Sequence, residues 1–162
     1  MTHEAPAGRV RHERLGHVLK ITIDNVTRRN SFIPEMMEQL SEALTLLDED
    51  PDLRAGVLCA EGGHFTAGLD MPKFFGPGAT ARTTPEGHVD AFQLAKVCRK
   101  PVVAAVQGVA TAAGCQLVAS CDLAIASSAA TFRTPGVDIG LFCSTPMVAL
   151  SRNVARKHAL AM

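Results

Sequence analysis

Apolar positions along this chain follow two rhythms. Residues 17–23, His-Val-Leu-Lys-Ile-Thr-Ile, are rich in β-favouring side chains and end at Asp24-Asn25, which predicts a strand. Residues 10–13 are expected to pair with it across Leu15-Gly16. From Met36 the spacing changes to a helical one: Met36, Met37, Leu40, Ala43, Leu44 and Leu47 fall on one face at close to 3.6 residues per turn. Ser31 reads as the N-cap of this helix, with Pro34 and Glu35 in its first turn, and the helix stops before Pro51. Ala55–Ala60 reads as a short buried strand. Residues 76–87 form a loop by composition, and a helix over about 88–98 precedes a strand over 101–107. A helix is predicted from Gly114 to about Ala119, strands over 122–127 and 131–134, and a helix over 145–154 capped by Ser144 or Thr145.

This alternation of strands and helices implies an α/β fold with largely parallel pairing. No linker divides the chain, so residues 1–9 read as a flexible N-terminus and 10–162 as one domain built on a loose β-β-α unit.

Composition narrows the function classes. With 16 basic and 16 acidic side chains, 4% aromatic residues and neither Trp nor Tyr, the chain offers no basic patch or stacking platform for nucleic acid. No apolar run approaches the roughly 20 residues of a membrane span. Residues 1–14 hold no apolar core of a secretory signal, and their early acids argue against a transit peptide. The cytoplasm is therefore the default, with the mitochondrial matrix as the eukaryotic alternative. Cys59, Cys98, Cys115, Cys121 and Cys143 form no C-x-x-C pair and read as reduced thiols, and the six histidines show no ligand spacing, so no metal site is expected.

Candidate chemistry lies in two stretches. His64-Phe65-Thr66-Ala67-Gly68-Leu69-Asp70 and Gly108-Val109-Ala110-Thr111-Ala112-Ala113-Gly114-Cys115-Gln116 each follow a strand-like run with small residues that let backbone amides approach a ligand. Side by side, two such turns would aim two N–H groups at a developing oxyanion, often the largest single contribution to acyl-transfer and enolate chemistry.

Placed on this element order, the chain resembles the enoyl-CoA hydratase/isomerase (crotonase) superfamily from about Val10 to its end. The stretches that carry the resemblance are Asn25…Arg28-Arg29-Asn30-Ser31-Phe32, Phe65-Thr66-Ala67-Gly68-Leu69-Asp70, Lys100-Pro101-Val102-Val103-Ala104-Ala105-Val106-Gln107-Gly108, and Ala112-Ala113-Gly114-Cys115-Gln116-Leu117 with Ser120-Cys121-Asp122-Leu123-Ala124-Ile125-Ala126. The run from Thr134 to Pro146 looks most like the branch of the enoyl-CoA hydratase domain-containing protein 3 type.

The resemblance implies a spiral of β-β-α turns that binds acyl-CoA thioesters, with coenzyme A as part of the substrate and no separate cofactor. It assigns the oxyanion hole to the backbone N–H groups of Leu69 and Ala113. The adenine end of CoA would lie against the backbone of Thr66, Ala67, Gly68 and Leu69, with Arg28 or Arg29 near its phosphates. The family's N-x-P-x-x-x-N segment is one residue short here and has Thr27 in place of Pro.

The resemblance also marks departures. Gln116 and Gly136 stand where hydratases of the family carry their two catalytic glutamates, and Ser144 where other relatives carry an aspartate. Asp138 is a candidate displaced acid, although a surface turn explains it better, and Asp70 reads as structural. His88 and Asp90 read as the start of a helix, Cys115 as a packed thiol, and Cys143 or Ser144 as remote nucleophiles. The family continues past the helix where this chain stops, so a C-terminal helical trimerisation region is expected to be lacking. Acyl-CoA is the expected ligand, with self-association or association with full-length crotonases as the expected assembly.

Overall fold

The computed structural model describes residues 8–77, 92, 98–142 and 144–162. Strands β1 (Arg9–Leu15) and β2 (Val18–Asp24) form an antiparallel hairpin in which Leu15 faces Val18. β3 (Ala55–Ala60), β4 (Val102–Val106) and β6 (Leu123–Ala126) then add in parallel, giving the order β1-β2-β3-β4-β6. A second, two-stranded parallel sheet joins β5 (Val109–Thr111) to β7 (Thr131–Arg133). β5 follows β4 after only two residues and was not separable from it in the sequence, because a three-residue strand carries no periodicity of its own.

Helix α1 (Pro34–Glu49) buries Met36, Leu40, Ala43, Leu44 and Leu47, the expected face, with Met37 packed at its margin. These side chains join Leu19, Ile21 and Ile23 of β2, Leu58 of β3, Val102, Ala104 and Val106 of β4, and Phe32 and Phe65 in one core. At about 25 cal/mol per Å² of apolar surface removed from water, this cluster is the main source of stability. Ser31 is not the cap of α1. Ile33 holds that position without a side-chain bond, and Ser31 is buried with its C=O taken by the Asn25 side-chain amide at 2.7 Å. The Pro34 ring removes one of the N–H groups a cap would satisfy, which lowers the demand for a capping side chain.

α2 (Met71–Phe75) is a single turn. α3 (Ala113–Ser120) packs on α4 (Ser144–Asn153), and α5 (Arg156–Ala161) follows. The Asn153 amide donates to Ala119 O at 2.8 Å, tying α4 to the end of α3. α4 begins at Ser144, so Ser144 and Thr145 lie inside the helix rather than capping it. Most of the loop expected over 76–87 and most of the helix expected over 88–98, with His88 and Asp90, lie outside the described residues, as does Cys143.

Burial is uneven. Most of the core comes from β2, α1, β3 and β4, whereas Leu15, Val26, Met71 and Phe75, Leu123 and Ile125 of the edge strand β6, and Val137, Ile139, Phe142 and Leu160 beyond it are exposed. Among the described residues no helix is long and apolar enough to cross a membrane.

Candidate functional site

The first turn grows out of two half-pairings made by the segment after β3. Thr66 N–H donates to Val109 O and Thr111 N–H to Thr66 O, which docks the segment on β5. Two residues on, Phe32 N–H donates to Gly68 O at 2.8 Å and Asp70 N–H to Phe32 O at 2.8 Å. Leu69 is thus the bridge residue of a short parallel pair, and its own N–H faces away from Phe32. Over residues 66–70 every other amide is bonded: Ala67 to Arg29 O and Gly68 to the Thr66 hydroxyl. The Leu69 N–H alone has no acceptor among the described residues.

The second turn is the start of α3. Ala112 N–H donates to Arg133 O at 2.9 Å, and Gln116 N–H closes the first helical turn onto Ala112 O. As the first helical residue, Ala113 has an N–H with no intrahelical partner, and no side chain caps it. Its first turn also lacks acidic residues, so the positive end of the helix dipole is uncompensated there. Ala112 sits at φ 53°, ψ −121°, a conformation that costs a residue with a Cβ about 1–3 kcal/mol. The Arg133 carbonyl holds it there, and this strain aims the Ala113 peptide. Nothing in the sequence signals it, since alanine is not a residue that marks positive φ.

The two turns abut. Gly68 has φ +92°, and a Cβ on it would lie 3.0 Å from Thr111 O and 3.3 Å from Ala113 N. Glycine is required there both by backbone conformation and by the approach of the second turn. Gly114 is equally constrained: a Cβ on it would meet Thr66 Cγ2 at 2.5 Å. Gln116, one helical turn beyond Ala113, is 5% exposed, and among the described residues no hydrogen bond fixes its carboxamide.

Around the first turn runs a polar network that sequence reasoning missed. Asn30 is buried at φ +57° and accepts from Asn25 N–H at 2.7 Å. Its amide donates to Glu61 O and His64 O, both at 2.8 Å, and its carbonyl accepts the Thr66 hydroxyl at 2.5 Å. The Asn25…Asn30 spacing was visible, but it fastens one loop to another. Thr66 is fully buried with N–H, C=O and hydroxyl all engaged, so a ligand would meet this segment from Ala67 onward rather than at Thr66 itself. The Arg28 guanidinium lies 3.3 Å from Asp70, whose other oxygen caps α2 through Lys73 N–H. Asp70 is structural in this arrangement. Arg29 adopts a left-handed conformation, and its guanidinium has no partner among the described residues.

The other candidates offer no free acid or nucleophile. Gly136 sits in a 3-10 turn over Pro135–Ile139, and Asp138 of the same turn pairs with Arg133 at 2.6 Å on the surface. Burial pushes the Cys115 thiol up to about 11, which leaves no thiolate for attack at neutral pH. A cavity of about 680 Å³ lies between that turn, α4 and α5, against Val137, Phe142, Met147, Leu150 and Leu160, and no residue of the Leu69 or Ala113 turn lines it. Among the described residues no His, Cys, Asp or Glu group is arranged to hold a metal.

The sheet order, the spiral of β-β-α units and the abutting turns define a crotonase-like α/β fold. The chain belongs to the enoyl-CoA hydratase/isomerase family, whose sequence profile matches residues 13–162. It is similar to the mitochondrial enoyl-CoA hydratase domain-containing protein 3 of Danio rerio, with 41% identity over 152 residues covering 93% of this chain and 53% of that protein. Among solved structures, the human enoyl coenzyme A hydratase domain-containing protein 3 is 40% identical with a TM-score of 0.76. The enoyl-CoA hydratase of Mycobacterium smegmatis is 40% identical with a TM-score of 0.81; each match covers 94% of this chain and 61% of the other. The chain spans about half the length of the curated relatives it matches.

Proposed function

We propose that this chain binds acyl-CoA thioesters and polarises the thioester carbonyl between the N–H groups of Leu69 and Ala113. The observation that carries this reading is the pair of unsatisfied amides on two turns in van der Waals contact. Polarised there, the carbonyl lets the α-carbon carry enolate charge, and the unpaired Gln116 amide orients a water or the substrate. Ala67, Gly68 and Leu69 form the edge against which the adenine end rests, and Arg29, whose guanidinium has no partner among the described residues, is available to meet a phosphate. Arg28 shares its guanidinium with Asp70. The relatives' names, enoyl-CoA hydratase domain-containing protein 3, mitochondrial, support a role with enoyl-CoA thioesters and, for a eukaryotic chain, a mitochondrial location over the cytoplasm.

Proton transfer is the weak link. A positioned acid or base is worth about 10²–10⁴-fold, and one oxyanion donor about 10²–10³-fold. Gln116 orients water but takes no proton, Gly136 has no side chain, and Asp138 is occupied by Arg133. Crotonyl-CoA hydration is therefore expected to be slow or absent while acyl-CoA binding persists, as followed by enone absorbance and calorimetric titration. Hydration at the rate of an ordinary hydratase contradicts this assignment. Introducing Gln116→Glu with Gly136→Glu should raise hydration if the carbonyl site is sound.

A second reading, a non-catalytic partner of itself or of full-length crotonases, is favoured by the exposed apolar side chains of β6 and of residues 137–142. Continued silence of the double variant, together with association on sedimentation, supports it.

A further inference from the structure

We propose that the Thr66 side chain is the positioning element that sets both amide donors, its hydroxyl governing Leu69 and its methyl governing Ala113. The proposal rests on the carbonyl-binding reading above and adds how that site is held. Thr66 is completely buried between the two turns. Its Oγ1–H donates to Asn30 O at 2.5 Å, and the same oxygen accepts Gly68 N–H at 3.1 Å. Gly68 is therefore gripped at both ends, N–H by Thr66 and C=O by Phe32 N–H. Because the peptide is planar and trans, fixing Gly68 C=O toward Phe32 forces the Leu69 N–H the opposite way. At φ +92° glycine has wide conformational freedom, and the hydroxyl removes it.

The other branch of the same side chain faces α3. Gly114 comes so near Thr66 Cγ2 that no side chain fits between them, so the methyl sets how close the helix start approaches. The Thr66 backbone completes the clasp through Val109 O and Thr111 N–H. One residue that touches no ligand thus fixes the relative placement of two groups that do. Such placement matters because a donor misplaced by about 1 Å can cost on the order of 10²-fold.

The two branches separate by substitution. Thr66→Val keeps the bulk and loses the hydroxyl, whereas Thr66→Ser keeps the hydroxyl and loses the methyl. Adding butyryl-CoA to the ¹⁵N-labelled full chain should move the amide protons of both Leu69 and Ala113 downfield. In Thr66→Val the Leu69 response should be lost while that of Ala113 persists; in Thr66→Ser the Leu69 response should survive and that of Ala113 should shrink. If Thr66→Val does not fold, Thr66→Cys, with a weaker donor and acceptor, should give a reduced Leu69 response. An undiminished Leu69 response in the Val or Cys variant overturns the proposal and leaves the carbonyl site standing. Silence of both amides in the unaltered chain overturns the carbonyl reading, and this proposal with it.

Discussion

The Leu69 turn and the Ala113 turn present the same group, a backbone N–H with no acceptor among the described residues, and reach it by opposite means. The first uses a glycine whose positive φ costs little and locks it with the Thr66 hydroxyl, itself held on the Asn30 carbonyl. The second places an alanine where glycine would be relaxed and holds it by one carbonyl, from Arg133. One donor is fixed by polar partners and the other by strain plus the start of a helix. The difference teaches that a site can be divided between a well-satisfied half and a stressed half, and that each half breaks differently.

Gly68→Ala should have the largest effect. It adds a Cβ against Thr111 O and Ala113 N at a φ that disfavours it, and a loss of about 3 kcal/mol or more in chemical unfolding is expected, with loss of acyl-CoA binding. Normal stability would mean that the turns do not abut. Asn30→Ala, which orphans Asn25 N–H and the carbonyls of Glu61 and His64, should cost about 2–3 kcal/mol and damage the first turn more than the second. Ala112→Gly tests the stressed half with the opposite sign. Relief of strain, offset by the greater freedom of the unfolded chain, should raise stability by up to about 1 kcal/mol and so raise the melting temperature. A lower melting temperature would show that Ala112 is not strained.

The smallest effect at neutral pH concerns the thiols behind the second turn. Desolvation raises Cys115 to about 11 and Cys121 to about 12 from an ordinary 9.0. The folded state then holds protons that the unfolded chain releases. The contribution is therefore fully present below pH 9 and is lost as pH rises toward 11 and 12. At pH 8 a thiol reagent should leave Cys115 and Cys121 untouched until the protein is denatured; rapid native labelling of either would show that α3 opens.

Much of the framework was legible because it rests on periodicity. The buried face of α1, the strand Ala55–Ala60 and the alternation Val102, Ala104, Val106 are dictated by side chains that must leave water. The small residues of both turns were legible for the same kind of reason, since Gly68 and Gly114 mark places where backbone must approach backbone. What escaped depends on bonds between segments far apart in sequence. Asn30 looks like any loop asparagine until Glu61 and His64 arrive beside it, and Ser31 looks like a cap until Asn25 claims its carbonyl. Ala112 carries no mark of its φ, because the force that holds it comes from Arg133, 21 residues away. The exposure of Leu123 and Ile125 was equally hidden, since a strand of that composition reads as buried.

The carbonyl stretch of a bound acyl-CoA, followed by isotope-edited difference infrared spectroscopy on the thioester carbon, tests the central claim most directly. Two convergent amide donors should move the band to lower frequency than in water, and Gly68→Ala should abolish the move. A band unchanged on binding, or one still lowered in Gly68→Ala, would contradict the account.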